Sequence, residues 1–471
     1  VTQSWASLGI DLHLEPAGPG LRKGLTDALR DAVRSGRLAP GTRLPSSRTL
    51  AADLGIARNT VADAYADLVA EGHLTARQGS GTRVAERAAP VPAAPHRKRP
   101  VRVPGRAGPA HDLTAGTPDL SAFPRTAWLK AARRALTAAP NDAFGYGDPR
   151  GRPELRAAVA DYLARVRGVV ADPDRIVVCA GVAHGLGLLT EVLSRRSGRS
   201  GRATVAVETY GLGFHREWLE AAGVRTAPLP FDADGTDPAA LDAEQAVLLT
   251  PTHQFPMGGT LSPARRAAVV DWARRTGGLV LEDDYDGEFR HDRRPVGALQ
   301  GLAPDRVAHL GTASKALAPG LRLGWLVLPP GLVDEVLAAK GYADTCGAPD
   351  QLTLAEFLTS GAYDRQVRLM RLRYRRRRDE LVATLARRAP SVRVGGIAAG
   401  LHAVLLLPPG TESEVLRAAA WHGLGVQGLS WFRHPAADGA AGAPDGLVIG
   451  YGRPPDHAWQ SALEALCRCL P

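Results

Sequence analysis

The chain has 471 residues, 45% of them hydrophobic, enough to bury more than one core. No apolar run approaches the roughly 18 residues of a membrane span, residues 1–10 lack the basic start and apolar centre of a signal peptide, and Cys179, Cys346, Cys467 and Cys469 are too few and too badly spaced for a disulfide framework or a zinc site, so a cytoplasmic protein without a metal is expected. The net charge is +10, and half of that excess falls in residues 85–111, which carry six Lys/Arg against one Asp/Glu; a concentrated basic stretch of this kind favours a polyanionic partner.

Taken in order, residues 21–35 put Leu21, Leu25, Leu29, Ala32 and Val33 on one helical face, and Gly36 ends the helix. The turn-rich connection 37–45 leads to Ser46, a good N-cap for a second helix through Leu54, and Gly55 makes the turn. Val61, Ala64, Tyr65 and Leu68 have the i, i+3, i+4, i+7 spacing of a third helix, stopped by Gly72. Residues 74–77 and 82–84 then flank the Gly-rich tip Gln78-Gly79-Ser80-Gly81 as a strand pair. Three helices followed by a two-stranded wing make a winged helix-turn-helix over 14–84. Arg58, Asn59 and Thr60 open the third helix toward base edges and phosphates, while Ser46, Ser47, Arg48, Arg77, Ser80 and Thr82 are candidates to hold the backbone of double-stranded DNA. The strings Leu44-Pro45-Ser46-Ser47-Arg48, Leu54-Gly55 and Gly79-Ser80-Gly81-Thr82 resemble the DNA-binding domain of the GntR family. Ala57 stands where that family usually has Ser, which removes a helix cap.

Residues 85–111 are rich in Pro, Ala and Arg, show no apolar period, and are expected to be a semi-stiff linker. Arg97-Lys98-Arg99 is either an added phosphate contact or part of a solvated tether; both readings stand. From Asp112 a second domain is expected to run to the end of the chain, with a large part over about 112–330 and a small part over about 331–471. Helices are expected near 125–138 and 152–167. Short apolar runs at 176–179, 204–208, 246–250, 278–282 and 307–311 alternate with helical patterns, which argues a mostly parallel α/β sheet. The Arg-rich stretch 351–386 reads as one helix with Leu369, Leu372 and Leu381 on its packed face and a solvated or dimer-facing arginine surface. Strands near 402–407 and 447–450 belong to the small α+β part.

Ligands of parallel sheets sit beyond the carboxyl ends of the strands, and the residues placed there share one chemistry. Lys315 is one of only five lysines among 58 basic residues. A primary amine that loses its proton can hold an aldehyde covalently, which Arg cannot do. Asp283 is suited to pair with the pyridinium nitrogen of pyridoxal phosphate, and Tyr285, two residues on along a strand, to reach its phenolic oxygen. Gly181, Val182, Ala183 and His184 open a helix whose free N–H groups suit a phosphate, with Arg322, Thr312 and Ser314 closing on the same group. Tyr210 is expected to cover a ring face, and His253 to lie at the tip of its strand.

Tyr146-Gly147-Asp148-Pro149-Arg150-Gly151, Thr250-Pro251-Thr252-His253-Gln254-Phe255-Pro256-Met257-Gly258, Glu282-Asp283-Asp284-Tyr285-Asp286-Gly287-Glu288-Phe289 and Gly311-Thr312-Ala313-Ser314-Lys315 resemble the fold-type I aminotransferase-like domain of MocR-type regulators, a subgroup of the GntR family. The resemblance covers nearly the whole chain. It implies that Lys315 is the aldimine lysine, Asp283 the pyridinium partner, Tyr285 the phenolic-oxygen contact and Arg322 a phosphate ligand. It further implies a head-to-tail homodimer on paired half-sites, with pyridoxal phosphate or a small amino compound as effector. Three departures bear on the choice between a regulator and a working aminotransferase with an added DNA-binding domain. Val448 stands where an acid-gripping Arg is usual, with Arg453 near enough to substitute, and Ala183 and Ala313 replace larger residues beside the pocket. The first departure leans the reading to the regulator.

Overall fold

The computed structural model describes residues 20–77, 81–86, 108–197, 202–291, 296–341, 344–437 and 443–471. The chain divides into two compact units, with the division after Arg106.

The first unit is the expected winged helix-turn-helix. Helices α1 (Leu21–Arg34), α2 (Ser47–Leu54) and α3 (Arg58–Ala70) precede an antiparallel pair, β1 (Leu74–Arg77) and β2 (Gly81–Val84). Leu25, Leu29, Leu50, Val61, Leu68 and Leu74 close one core. Ser46 caps α2, its hydroxyl accepting the Thr49 N–H at 3.1 Å, and Gly55 ends that helix in the left-handed region at φ 66°. Ala57 sits at the N-cap of α3 in extended geometry with no side-chain cap. Charge pairs tie α1 to the end of α3: Arg22 to Asp67 at 2.6 Å and Arg30 to Glu71 at 2.6 Å. Ala85 still belongs here, donating its N–H to His73.

The second unit is a fold-type I aminotransferase-like architecture. Helices α4 (Arg125–Ala138) and α5 (Pro153–Arg167) lead to the first strand of a seven-stranded sheet. In chain order the sheet comprises β3 (Ile176–Cys179), β4 (Thr204–Glu208), β5 (Arg225–Leu229), β6 (Ala246–Leu249), β7 (Leu279–Asp283), β8 (Val307–Thr312) and β9 (Gly324–Val327). Across the sheet the order is β3-β9-β8-β7-β6-β4-β5; β9 alone runs antiparallel to its neighbours. Helices α6 (Val182–Ser197), α7 (Gly213–Ala221) and α8 (Pro263–Thr276) are the crossovers between the parallel strands, and α9 (Val333–Lys340) follows β9. The strands β3, β6, β7, β8 and β9 are buried throughout, as a sheet covered on both faces requires. Helices α10 (Ala348–Thr359), α11 (Ala362–Arg388), α12 (Glu412–Trp421) and α13 (Asp456–Cys469) complete the unit with a four-stranded sheet of 393–394, 403–406, 446–449 and 427–428, in that order across the sheet. The chain passes between the two parts more than once: α10 packs on α4 and α5, and the strand His111–Asp112 pairs with Leu424–Gly425. No helix among the described residues is long and apolar enough to cross a membrane.

Three expectations need correction. Residues 351–386 are not one helix, because Gly361 at φ 68° separates α10 from α11. Leu369 and Leu372 are 64% and 55% exposed, so the packed face of α11 is Tyr363, Val367, Met370, Tyr374, Arg377 and Leu381. Strand β7 ends at Asp283, so Tyr285 is presented by the bend after the strand and not by strand alternation. Strand β5, at one edge of the sheet, and strand β9, inserted between β3 and β8 beside the other edge, are unread in the sequence.

Candidate functional site

A cavity of about 230 Å³ lies at the carboxyl ends of the parallel strands. The antiparallel β9 fixes one wall, because its first residue, Gly324, is in register with both Thr312 of β8 and Cys179 of β3. A Cβ on Gly324 would come 2.8 Å from the Gly181 Cα, so only glycine lets the three segments meet. Gly181, Val182, Ala183, Thr312, Ser314 and Arg322 are thereby gathered on one side of the cavity. The opening N–H groups of α6 have no intrahelical acceptor and face an anion favourably. Arg322 is the one non-glycine among the described residues with positive φ, 52°. Its guanidinium makes no hydrogen bond or ion pair among the described residues, and it reaches within 3.7 Å of where a Gly181 Cβ would be.

Lys315 is half-buried, with its amine in the cavity and donating to the Gly116 carbonyl at 2.5 Å. Burial lowers its pKa, and the negative charges of Asp283 and Asp286 partly offset this. Asp283 lines the same cavity and is buried; its Oδ1 has no hydrogen-bond partner among the described residues. Burial pushes its carboxyl up to about 7, with Lys315 pulling the other way. Glu208, at the tip of β4, is likewise pushed up to about 7 by burial, although it accepts hydrogen bonds from Thr236 at 2.9 Å and Thr250 at 2.5 Å. Beneath them the neighbouring carboxylates are fully paired. Asp284 forms a buried salt bridge with Arg167, 2.7 Å from Oδ2 to Nε, and Glu282 accepts the backbone N–H groups of Leu299 and Gln300 at 2.6 and 2.9 Å. The contrast singles out Asp283: three consecutive acids are buried, and only the one facing the cavity keeps a free oxygen.

Tyr285 lines the cavity, and its hydroxyl lies 3.1 Å from both the His253 carbonyl and Nδ1. His253 does not line it. It stands behind Tyr285, 2.8 Å from Asp286 Oδ2, with its ring 4.9 Å from that of His402. His253, Asp286 and His402 bring ligand atoms within 4.8 Å of one another, and the His253 Nδ1–Asp286 Oδ2 pair is at hydrogen-bond distance. Tyr210 is also absent from the lining; its ring packs edge-on against Phe231 in a cluster with Phe255, Phe432 and Val448. Val448 is thus a core residue, and Arg453 is paired with Asp112 at 2.8 Å, so neither projects into the cavity. Ala313 is fully buried in the core, while Ala183 lines the cavity.

Several lining residues escaped the sequence reading. Phe214, His215 and Arg216 open α7, and the signal for them was present, since they follow the tip of a strand already recognised. Gly116, Leu401 and His402 come from distant segments, and nothing local announces them.

In the first unit Arg48, Arg58 and Asn59 are exposed, and Ser47, Thr60 and Thr82 are partly so. Neither Arg48 nor Arg58 makes a hydrogen bond or ion pair among the described residues, unlike Arg22 and Arg30. Arg77 is exposed on the wing. Ser46 is exposed too, but its hydroxyl serves the cap of α2. Ser80 lies outside the described residues.

A winged helix-turn-helix and an aminotransferase-type domain on one chain define the class to which the molecule belongs. Residues 21–84 match the bacterial regulatory proteins of the gntR family, and residues 110–433 match aminotransferase class I and II. The chain is 35% identical to the HTH-type pyridoxine biosynthesis transcriptional regulator PdxR of Corynebacterium glutamicum, covering 91% of each chain. It is 32% identical to the probable rhizopine catabolism regulatory protein MocR of Rhizobium meliloti, covering 92% of this chain and 90% of that one. An archaeal alanine:glyoxylate aminotransferase superposes on 76% of the chain and 89% of its own length, with a TM-score of 0.66 and 25% identity. The chain belongs to the MocR-type subgroup of the GntR family: it is an HTH-type transcriptional regulator with an aminotransferase-like domain.

Proposed function

We propose that this regulator holds pyridoxal 5'-phosphate in the cavity at Lys315 and uses it to sense the cofactor itself or a small amino compound. The observation that carries the reading is the unpartnered Oδ1 of buried Asp283, in one cavity with the amine of Lys315 and the unpaired guanidinium of Arg322. These are an acid for a pyridinium, an amine for an aldehyde and a cation for a phosphate. Bound, the cofactor supplies an aldehyde that condenses with amines and a ring that withdraws electrons from them.

The residues divide the work by charge. Arg322, Ser314, Thr312 and the first N–H groups of α6, at Val182 and Ala183, bind the phosphate. Asp283 takes its negative form against a ring nitrogen and holds a proton there. Tyr285 orients the phenolic oxygen, and His253 and Asp286 orient Tyr285 from behind. Burial brings Lys315 nearer to its neutral, nucleophilic form. Tyr210, packed behind the wall, is dropped as a ring cover.

Operator binding falls to Arg58, Asn59 and Thr60 for bases and to Ser47, Arg48, Arg77 and Thr82 for phosphates, with the protein acting in the cytoplasm as a homodimer, head to tail, on paired half-sites of double-stranded DNA. Leu129, Phe144 and Tyr146 are exposed along α4 and the loop after it, which supports an assembly larger than one chain.

The test is the visible spectrum of the purified protein incubated with pyridoxal phosphate. A band that borohydride abolishes, and that Lys315→Ala does not show, supports the reading; a wild type that stays colourless sinks it. Steady keto-acid production from a common amino acid with no retardation of the protein's own upstream DNA would turn the reading to a working aminotransferase.

A further inference from the structure

The cations of the cavity determine what kind of molecule it reads. Lys315, Arg322 and Arg216 are the Lys and Arg residues that line it. Lys315 is the attachment point under the reading above, and Arg322 stands over Gly181 at the phosphate cradle. Arg216 is left without a task. It belongs to the first turn of α7 and folds back over the loop before that helix, its Nη2 lying 3.6 Å from where a Gly213 Cβ would be.

Arg216 is only 8% exposed. Its hydrogen bonds run to three backbone carbonyls, of Gly211 at 3.2 Å, Phe432 at 3.4 Å and Arg433 at 3.3 Å. All three are long for N–H···O bonds. No carboxylate lies within ion-pair distance of it among the described residues. Burial lowers its pKa, and the charges of Glu220 and Glu217 offset this only in part. A guanidinium taken out of water without a counter-charge is costly, and the cost is recovered when an anion arrives. His215 beside it adds no competing positive charge, since burial and the nearby cations hold it neutral, with its pKa lowered to about 4. The same cavity offers apolar side chains, among them Leu212, Phe214 and Leu401.

We propose that Arg216 reads a carboxylate on the effector, so that the cavity takes an amino acid with an apolar body: the amine toward Lys315, the body against Leu212, Phe214 and Leu401, and the acid group on Arg216. This rests on the cofactor reading and goes beyond it by naming the ligand class. It also gives the ligand a mechanical consequence. The Phe432 and Arg433 carbonyls belong to the C-terminal part of the unit, so an acid group that takes donors from Arg216 alters a tie between α7 and that part.

The experiment compares L-leucine with 3-methylbutylamine, which has the same amine and apolar body but no carboxylate. Both are titrated into the full-length protein preincubated with pyridoxal phosphate, followed by the visible band and by calorimetry. Wild type is expected to bind leucine about tenfold or more tightly than the amine, the worth of a charge-assisted hydrogen bond. Arg216→Gln is expected to abolish that preference while leaving affinity for the amine within about threefold, and Arg216→Lys to keep part of it. A wild type that does not prefer leucine, or an Arg216→Gln protein that still does, overturns the proposal. Thermal melts of both variants check that the fold is kept, and Arg216→Lys carries the comparison if Arg216→Gln does not fold. Calorimetry keeps the two readings apart: a colourless protein whose heats still show the Arg216-dependent preference for leucine loses the cofactor and keeps the acid-reading residue.

Discussion

At the scale of the residue, Asp283 has the most to reveal because it is buried, unpaired on one oxygen and raised to about 7. An acid whose pKa is higher in the folded chain than in the unfolded one contributes stability fully below the unfolded value, near 4, and loses that contribution as pH rises through the folded value. The contribution of Asp283 to the stability of cofactor-free protein is therefore expected to be smaller at pH 8 than at pH 5. Asp283→Asn, which has no charge to bury, is expected to recover roughly 1–3 kcal/mol of the loss at pH 8. Glu208 and Glu288, also pushed up to about 7 by burial, titrate in the same sense, and His215 and His291, lowered to about 4, in the opposite one, so the comparison that isolates Asp283 is wild type against variant at each pH. The same variant is expected to weaken cofactor retention, so stability and binding move in opposite directions; melts at the two pH values with and without pyridoxal phosphate check both. If Asp283→Asn melts lower than wild type at pH 8 without cofactor, the orphaned oxygen does not destabilise the fold. One residue away the logic reverses. Arg167 is buried against Asp284 and also donates to the Val296 carbonyl and the Thr252 hydroxyl, so Arg167→Ala leaves a buried carboxylate uncompensated. A loss of about 3–5 kcal/mol in chemical denaturation is expected.

At the scale of the element, α3 begins without a cap. Ala57 already has the extended geometry of an N-cap, φ −64° and ψ 138°, and lacks only the side-chain oxygen. Ala57→Ser is expected to stabilise the N-terminal unit by about 1 kcal/mol and Ser46→Ala to destabilise it by a similar amount, both read from urea unfolding. These two caps were legible in the sequence, as were the helices of the head and five strands of the large sheet, because periodicity and punctuation are local. What was not legible depends on distance along the chain. The edge strand β5 carries Arg225 and Pro228, residues that a lone strand pattern discourages and an edge tolerates. The run of arginines in α11 read as surface, yet Arg377 is fully buried, because Asp456 and Asp119, far off in the chain, come within 2.7 and 3.6 Å of its Nη2. Lys315 and Asp283 could be placed at the cavity from strand tips, and Arg322 from the loop that follows Lys315 and the family resemblance. Tyr210 and His253 were assigned by the same rule and lie behind the wall, since a strand tip says which end of the sheet a residue occupies and not which way its side chain turns.

At the scale of the whole molecule, the question is whether the cavity and the DNA-binding head are coupled, and salt separates the two contributions. Arg58 and Arg48 are exposed and have no partner among the described residues, so each is expected to neutralise a phosphate or meet a base, and Arg58→Ala should reduce the dependence of log K on log salt by about one unit. Lys315→Ala removes no cation from the head, so its salt slope on the same DNA should match wild type. What it should lose is the response to ligand: if occupancy of the cavity shifts operator affinity in wild type by a coupling energy of about 1–3 kcal/mol, that shift vanishes in Lys315→Ala while basal affinity stays. Linkage makes the effect reciprocal, so operator DNA must change the affinity of the wild-type protein for its cavity ligand by the same factor. Titrating pyridoxal phosphate with and without the upstream duplex, at fixed salt, measures that factor from the other side. Equal affinities in the two titrations would mean that the two units share a chain without sharing a signal, however well each performs alone.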